Sequence, residues 1–416
     1  MTGVRAAAVL ALMMVCISCG ETYRPVATPI APNPPNPGFS HVALVITGNG
    51  SSHPGASTSI DVSGDTAVSR STLGLVPVHA ALVLNGTRVY AANSGDDTVA
   101  SFSPTSAAPV TTISLPTGST PSFVATTETA TVYVANTGNN TVSAIATTNN
   151  VIEPPLSGIP VGVHPVALAE TPNQQVLYAA NRGTGGSGGS VTSINPVDRS
   201  VNPTIANATW VSPVSVVARS DSNRAYVLDQ GSGLVSVIDT AANSVVNSVS
   251  VGVGANFMVY EPTRNRLYVS NPANNTVTYL DASSDALSAV VVPVPNPIAV
   301  AALPDGSRAY ISSAAVSGGN VTSRVTVISA ADGSVRTTIP LTALAQVCAS
   351  SPSELPIVAT ADSSRVYVGN CDAGNVAIIE TLTDTMLLEM PAPLGSSFSS
   401  TGNPLPQSPV FLVAGP

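Results

Sequence analysis

The chain has 416 residues, of which 44% are hydrophobic but only 4% aromatic and 9% charged, against a usual charged share of about 25%. It contains no lysine; its 14 basic residues are all arginines, and 23 acidic residues bring the net charge to −9. A basic stripe able to displace counterions from nucleic acid is absent, and polybasic attachment to anionic lipid is excluded on the same ground.

In chain order, Arg5 precedes an apolar run from Ala6 to about Ile17, too short for a permanent span and suited to an export signal. The run ends in "CISC" (16–19), which resembles the lipobox of bacterial lipoproteins and implies that Cys19 carries lipid. Cys16 stands where Leu is usual in that pattern, and an ordinary signal peptide cleaved nearby is the alternative. Residues 20–38 follow, with six prolines between 21 and 38, a composition that favours extended polyproline II and a semi-rigid spacer. Signal (1–19), spacer (20–38) and body (39–416) describe a domain held off a membrane. Gly20 follows Cys19 with no Asp to signal inner-membrane retention, so the outer membrane is favoured, facing the periplasm or the cell surface. The most apolar later stretch, 286–303, is broken by Pro293, Pro295 and Pro297, which forbids a spanning helix.

The body repeats a sixteen-residue phrase: "RVYAANSGDDTVASFS" (88–103), "TVYVANTGNNTVSAIA" (131–146), "RAYVLDQGSGLVSVID" (224–239), "RLYVSNPANNTVTYLD" (266–281) and "RVYVGNCDAGNVAIIE" (365–380). Each is an alternating run around a Tyr, an Asn/Gly-rich turn and a second alternating run, which is a hairpin pattern. The marker tyrosines 90, 133, 178, 226, 268, 310 and 367 are spaced by 43, 45, 48, 42, 42 and 57 residues, the period of a four-stranded propeller blade. A run commonly opened by Pro lies upstream of each, and a further run downstream.

The tetrads "YVAN" (133–136), "YVSN" (268–271), "YVGN" (367–370) and "YAAN" (90–93, 178–181) resemble the YVTN-type β-propeller repeat family over residues 39–416. The resemblance implies an all-β fold, a single propeller of four-stranded antiparallel blades, and implies no reaction. Residues 41–74 lack a first strand, and 408–416 look like a first strand with no hairpin after it. Together they complete one blade and remove the open edge. Eight blades are expected, with seven the alternative.

Five arginines (88, 224, 266, 308, 365) share one repeat position, two residues before the Tyr, and read as hairpin-edge residues. "NSGDDT" (93–98) suggests a calcium loop, but "NTGNNT" (136–141) makes the same turn without carboxylates. No haem, zinc, phosphate-loop or nucleophile-elbow motif is present, so neither metal nor cofactor is expected. Cys348 and Cys371 are placed by the strand order on one face, where a disulfide closing about 22 residues contributes roughly 3 kcal/mol; free thiols or a metal site are the alternative. Propeller ligands usually meet the channel mouth, at the start of each innermost strand. Two residues past the opening Pro or its equivalent, the copies read His79, Phe123, Ala167, Ser215, Phe257, Ala299, Pro356 and Phe411. His79, Phe123, Phe257 and Phe411, with His164 and Glu354 beside the mouth, form the candidate ligand site; the plainer alternative is that the Phe rings plug the channel. The expected function is a non-catalytic, monomeric envelope lipoprotein binding a protein or glycan. Its alternative is a hydrolase like the phosphogluconolactonase-type propellers, for which no dense acidic or His-Arg constellation is visible.

Overall fold

Each copy of the phrase folds as the hairpin its alternation dictates. The computed structural model describes residues 41–415 except 84–85, 107–108, 127–130, 204, 206–207, 318–319, 343, 346–354, 399–401 and 403. In it Arg266–Asn271 pairs antiparallel with Thr276–Asp281, setting Tyr268 opposite Tyr279, and Arg365–Asn370 pairs with Asn375–Glu380 in the same register. The run upstream adds a strand on the Tyr side and the run downstream a strand on the other, so each unit is a four-stranded antiparallel meander. No helix occurs among the described residues.

Eight such units form an eight-bladed propeller. The first strands are Ser408–Ala414 (blade 1), Pro77–Leu82, Pro121–Thr126, Pro165–Glu170, Pro213–Ala218, Phe257–Glu261, Pro297–Ala302 and Ile357–Ala359 (blade 8). Each packs against the first strand of the blade on either side, and the cycle closes between blades 8 and 1. Blade 1 joins the two ends of the body: Val42–Gly48 pairs with Ser408–Ala414, with Leu44 opposite Val413 and Ile46 opposite Phe411. Gly415 N–H donates to Val42 O at 2.8 Å, and Thr47 Oγ1 to Gln407 Oε1 at 2.7 Å. The expected closure and blade count are met.

The second strands are buried end to end, and all seven marker tyrosines are at most 1% exposed. A strand sandwiched between two blades feeds two cores with alternate residues. Val89 and Ala91 pack toward blade 1 with Leu44 and Ile46, whereas Tyr90 and Ala92 pack toward blade 3 with Val124, Val132 and Val134. Fourth strands face outward; Met386, Leu387 and Leu388 are all exposed.

Three departures from the repeat stand out. Blade 4 has three strands, its fourth reduced to a bridge between Ile194 and Val201. The central hairpin of blade 7 extends to ten residues a side, Arg308–Ser317 against Asn320–Ser329, which accounts for much of the long interval between Tyr310 and Tyr367. An additional hairpin, Leu394–Phe398 with Pro404–Pro406, precedes the closing strand.

Candidate functional site

The meander puts two kinds of connection on each face. The turns between second and third strands, and the segments entering the first strands, share the entry face. The turns between first and second strands, and between third and fourth, share the opposite face.

On the entry face the turn of one blade fixes the start of the next. Asp97 accepts the backbone N–H of Gly118 and of Thr120, both at 2.7 Å. Asn140 accepts His164 N–H at 2.9 Å, and Asn275 accepts Asn296 N–H at 2.8 Å. Thr120, His164 and Asn296 each precede the opening Pro and hold positive φ values of 43°, 54° and 46°, a costly conformation for non-glycine residues that these bonds offset. Gly138 leaves room for the passing chain, since a Cβ there would lie 2.2 Å from Gly118 O. The carboxylates of "NSGDDT" serve the backbone too: Asp96 accepts Leu75 N–H at 2.9 Å. No group of three metal-ligating side chains occurs among the described residues.

The same latch explains His164. Its backbone is held by Asn140, and its Nδ1 lies 3.0 Å from Gly183 O within its own blade. Its bonds are structural and it makes no ring contact with the other candidates. Phe257 packs among the cores flanking blades 6 and 7, away from His79. Glu354 and Cys348 lie outside the described residues. Cys371 is disulfide-bonded and 5% exposed.

Three candidates do converge. His79, Phe123 and Phe411 come from the first strands of blades 2, 3 and 1. The imidazole lies between the two phenyl rings, its centroid 3.9 Å from Phe123 and 4.1 Å from Phe411. Val124 N–H donates to Nδ1 at 3.3 Å, which places the ring proton on Nε2. Burial between the rings lowers the pKa of His79 to about 3, although part of its surface still meets the channel. The result is a neutral aromatic wall on one side of the channel. Ala167, Ser215, Ala299 and Pro356 occupy the equivalent positions elsewhere.

The sequence reading missed the second network, on the opposite face. The marker Tyr of one blade reaches the third-to-fourth turn of the next: Tyr90 donates to Asn150 Oδ1 at 2.7 Å, Tyr367 to Asp65 Oδ1 at 2.9 Å, and Tyr310 to Asp384. The Arg two residues earlier joins it, Arg365 with Asp65 at 3.1 Å and Arg308 with Asp384 at 2.6 Å; Arg224 pairs with Asp285 at 2.7 Å. Burial pushes Tyr133 up to about 12 and, with the adjacent carboxylates, raises Tyr310 and Tyr367, so these phenols remain donors. The shared repeat position of the arginines was visible in the sequence, but their partners a blade away were not. These Arg–Asp–Tyr clusters are clamps between blades, and the blade 8-to-1 clamp links residues 300 apart.

No protein-family model and no curated protein sequence matches the chain. Solved structures share its fold. The apo AztD protein of Citrobacter koseri superposes with a TM-score of 0.61 at 12% identity, covering 91% of this chain and 99% of that one. Dihydro-heme d1 dehydrogenase NirN, in complex with DHE, gives 0.64 at 11% identity over 89% of this chain and 75% of that one. A candidate 6-phosphogluconolactonase of Bacteroides fragilis gives 0.54 at 12% identity, covering 90% and 98%. The likenesses establish the propeller class and carry no activity across.

Proposed function

We propose that the protein is a non-catalytic, monomeric cell-envelope lipoprotein whose propeller binds a protein or glycan ligand at the channel mouth. In this reading lipid on Cys19 anchors it to the outer membrane and residues 20–38 hold the propeller clear of the surface. The observation that supports binding over catalysis is the Phe411–His79–Phe123 wall. Its only titratable group is neutral at physiological pH and far too weak a base for proton transfer there, and among the described residues no carboxylate shares its contacts. General acid–base catalysis needs a group poised near the operating pH, and a histidine of pKa about 3 is not one. The Arg–Asp–Tyr clusters, which would otherwise invite a hydrolytic reading, hold blades together on the other face. An uncharged aromatic lining with one N–H donor instead suits stacking and edge contacts.

Two substitutions test the two halves of the reading. Cys19→Ser should move the protein from the membrane to the soluble fraction with its melting temperature unchanged; continued membrane association would overturn the anchor. Phe123→Ala combined with Phe411→Ala should abolish retention of an envelope protein or glycan that the wild type captures. Retention undiminished in a folded double variant would remove the mouth as the site.

A further inference from the structure

One marker tyrosine is left without its clamp. In blade 4 the Arg position holds Val176, and the Tyr178 hydroxyl, fully buried, has no hydrogen-bond partner. The residue that should receive it is identifiable from the other blades. Asn150, Asp384 and Asp65, the acceptors for Tyr90, Tyr310 and Tyr367, each have positive φ, at 59°, 54° and 48°, in the third-to-fourth turn. The matching residue in blade 5 is Asn243, with φ 48°. It is turned away, its Nδ2 donating to Pro203 O at 2.8 Å.

Where the clamp is missing, a cleft of about 500 Å³ opens between blades 4 and 5, lined by Gln175, Val176, Asn195, Asn202, Thr240 and Asn243 among others. This lies within the roughly 300–1,000 Å³ range of small-ligand sites. Among the described residues no charged side chain lines it. Carboxamides supply donors and acceptors, the Thr240 hydroxyl, which donates to Ser222 O at 2.7 Å, is left as an acceptor, and Val176 with Pro203 and two alanines supplies apolar surface. The Asn195 carboxamide oxygen accepts Val197 N–H at 2.9 Å, while Gln175 and Asn202 commit no side-chain bond to the described fold.

We propose that this cleft is a binding site for a neutral saccharide, with sugar hydroxyls on the carboxamides and a C–H face on Val176 and Pro203. Carboxamides bind vicinal hydroxyls as both donor and acceptor, whereas an anionic sugar finds no cation here. The site lies on the opposite face from the channel mouth and stands independently of the function proposed above.

The test uses the full chain with chitobiose, cellobiose and maltose, three neutral disaccharides, read by saturation-transfer NMR and titration calorimetry. At least one should bind. Val176→Arg, which restores the residue found in five other blades, should fill the cleft and weaken that binding at least about tenfold with the melting temperature equal or higher. Tyr178→Phe should leave the fold as stable or more so, because an unpartnered buried hydroxyl is removed. His79→Gln should leave it unchanged. Absence of saturation transfer from all three sugars at millimolar concentration, undiminished binding in Val176→Arg, or loss of binding in His79→Gln would each overturn the proposal. A destabilised Tyr178→Phe would do the same, by showing the hydroxyl already partnered.

Discussion

At the scale of single residues, the same side-chain types serve opposite ends according to how they are surrounded. His79 is a base held neutral. Its pKa is about 3 in the fold against an ordinary 6.5, so between those values the unfolded chain binds the additional proton and stability rises with pH. The contribution is fully present above 6.5 and is lost as pH falls toward 3, with a slope of at most about 1.4 kcal/mol per pH unit. The His79→Gln variant should show a flatter stability–pH profile across that window in urea titrations, and the wild-type imidazole should show no NMR titration above pH 5. An imidazole that titrates near 6.5 would contradict its enclosure between the rings. Asp384 is the converse, an acid held by Arg308, Arg336 and Tyr310 while only 7% exposed. Removing it leaves two arginines facing a buried gap, so Asp384→Ala should cost about 3–5 kcal/mol. Tyr310→Phe should cost about 1 kcal/mol. Both are read by denaturant unfolding, and a loss below about 1 kcal/mol for Asp384→Ala would refute the clamp.

At the scale of strands and blades, periodicity made most of the architecture legible. The alternating runs around the seven tyrosines located seven of the eight central hairpins. Residues 41–74 read as a unit lacking its first strand, which the tail then supplied. Deleting residues 405–416 should therefore destabilise the whole ring. It uncovers the edge of Val42–Gly48 and removes Val410, Phe411, Leu412 and Val413, apolar side chains worth about 1.5–3 kcal/mol each when fully buried. A truncated chain with the original melting temperature would contradict the closure. The clamps were not legible, because Arg365 and Asp65 are joined only once the ring closes and Tyr310 meets Asp384 only across a blade boundary. Nor was the role of His164 legible: a histidine before a proline looks like a ligand, whereas the fold uses its backbone N–H and its left-handed conformation. Of the candidate site, the alignment of repeat positions brought out His79, Phe123 and Phe411, which share a wall because blades 1, 2 and 3 are neighbours. Phe257 holds the equivalent position too far round the ring to join them.

At the scale of the whole molecule, repetition builds the scaffold and the exceptions mark the places where a ligand could act. Each blade contributes the same hairpin, while the latch recurs at three junctions on one face and Tyr or Arg clamps recur at several on the other. A scaffold of that kind supports rigid recognition rather than large conformational change, since each first strand packs against both neighbours and the ring is closed. It also accounts for the scarcity of charge: most arginines and many carboxylates are engaged in joining blades, leaving a channel wall that is aromatic and neutral. The most direct measurement is a hydrogen–deuterium exchange footprint of the full chain, with and without detergent-solubilised envelope from its own cells. Ligand binding at the mouth predicts new protection in 77–82, 121–126 and 408–414, the strands that carry the Phe411–His79–Phe123 wall. Protection confined to the outer fourth strands, or none anywhere, would contradict it.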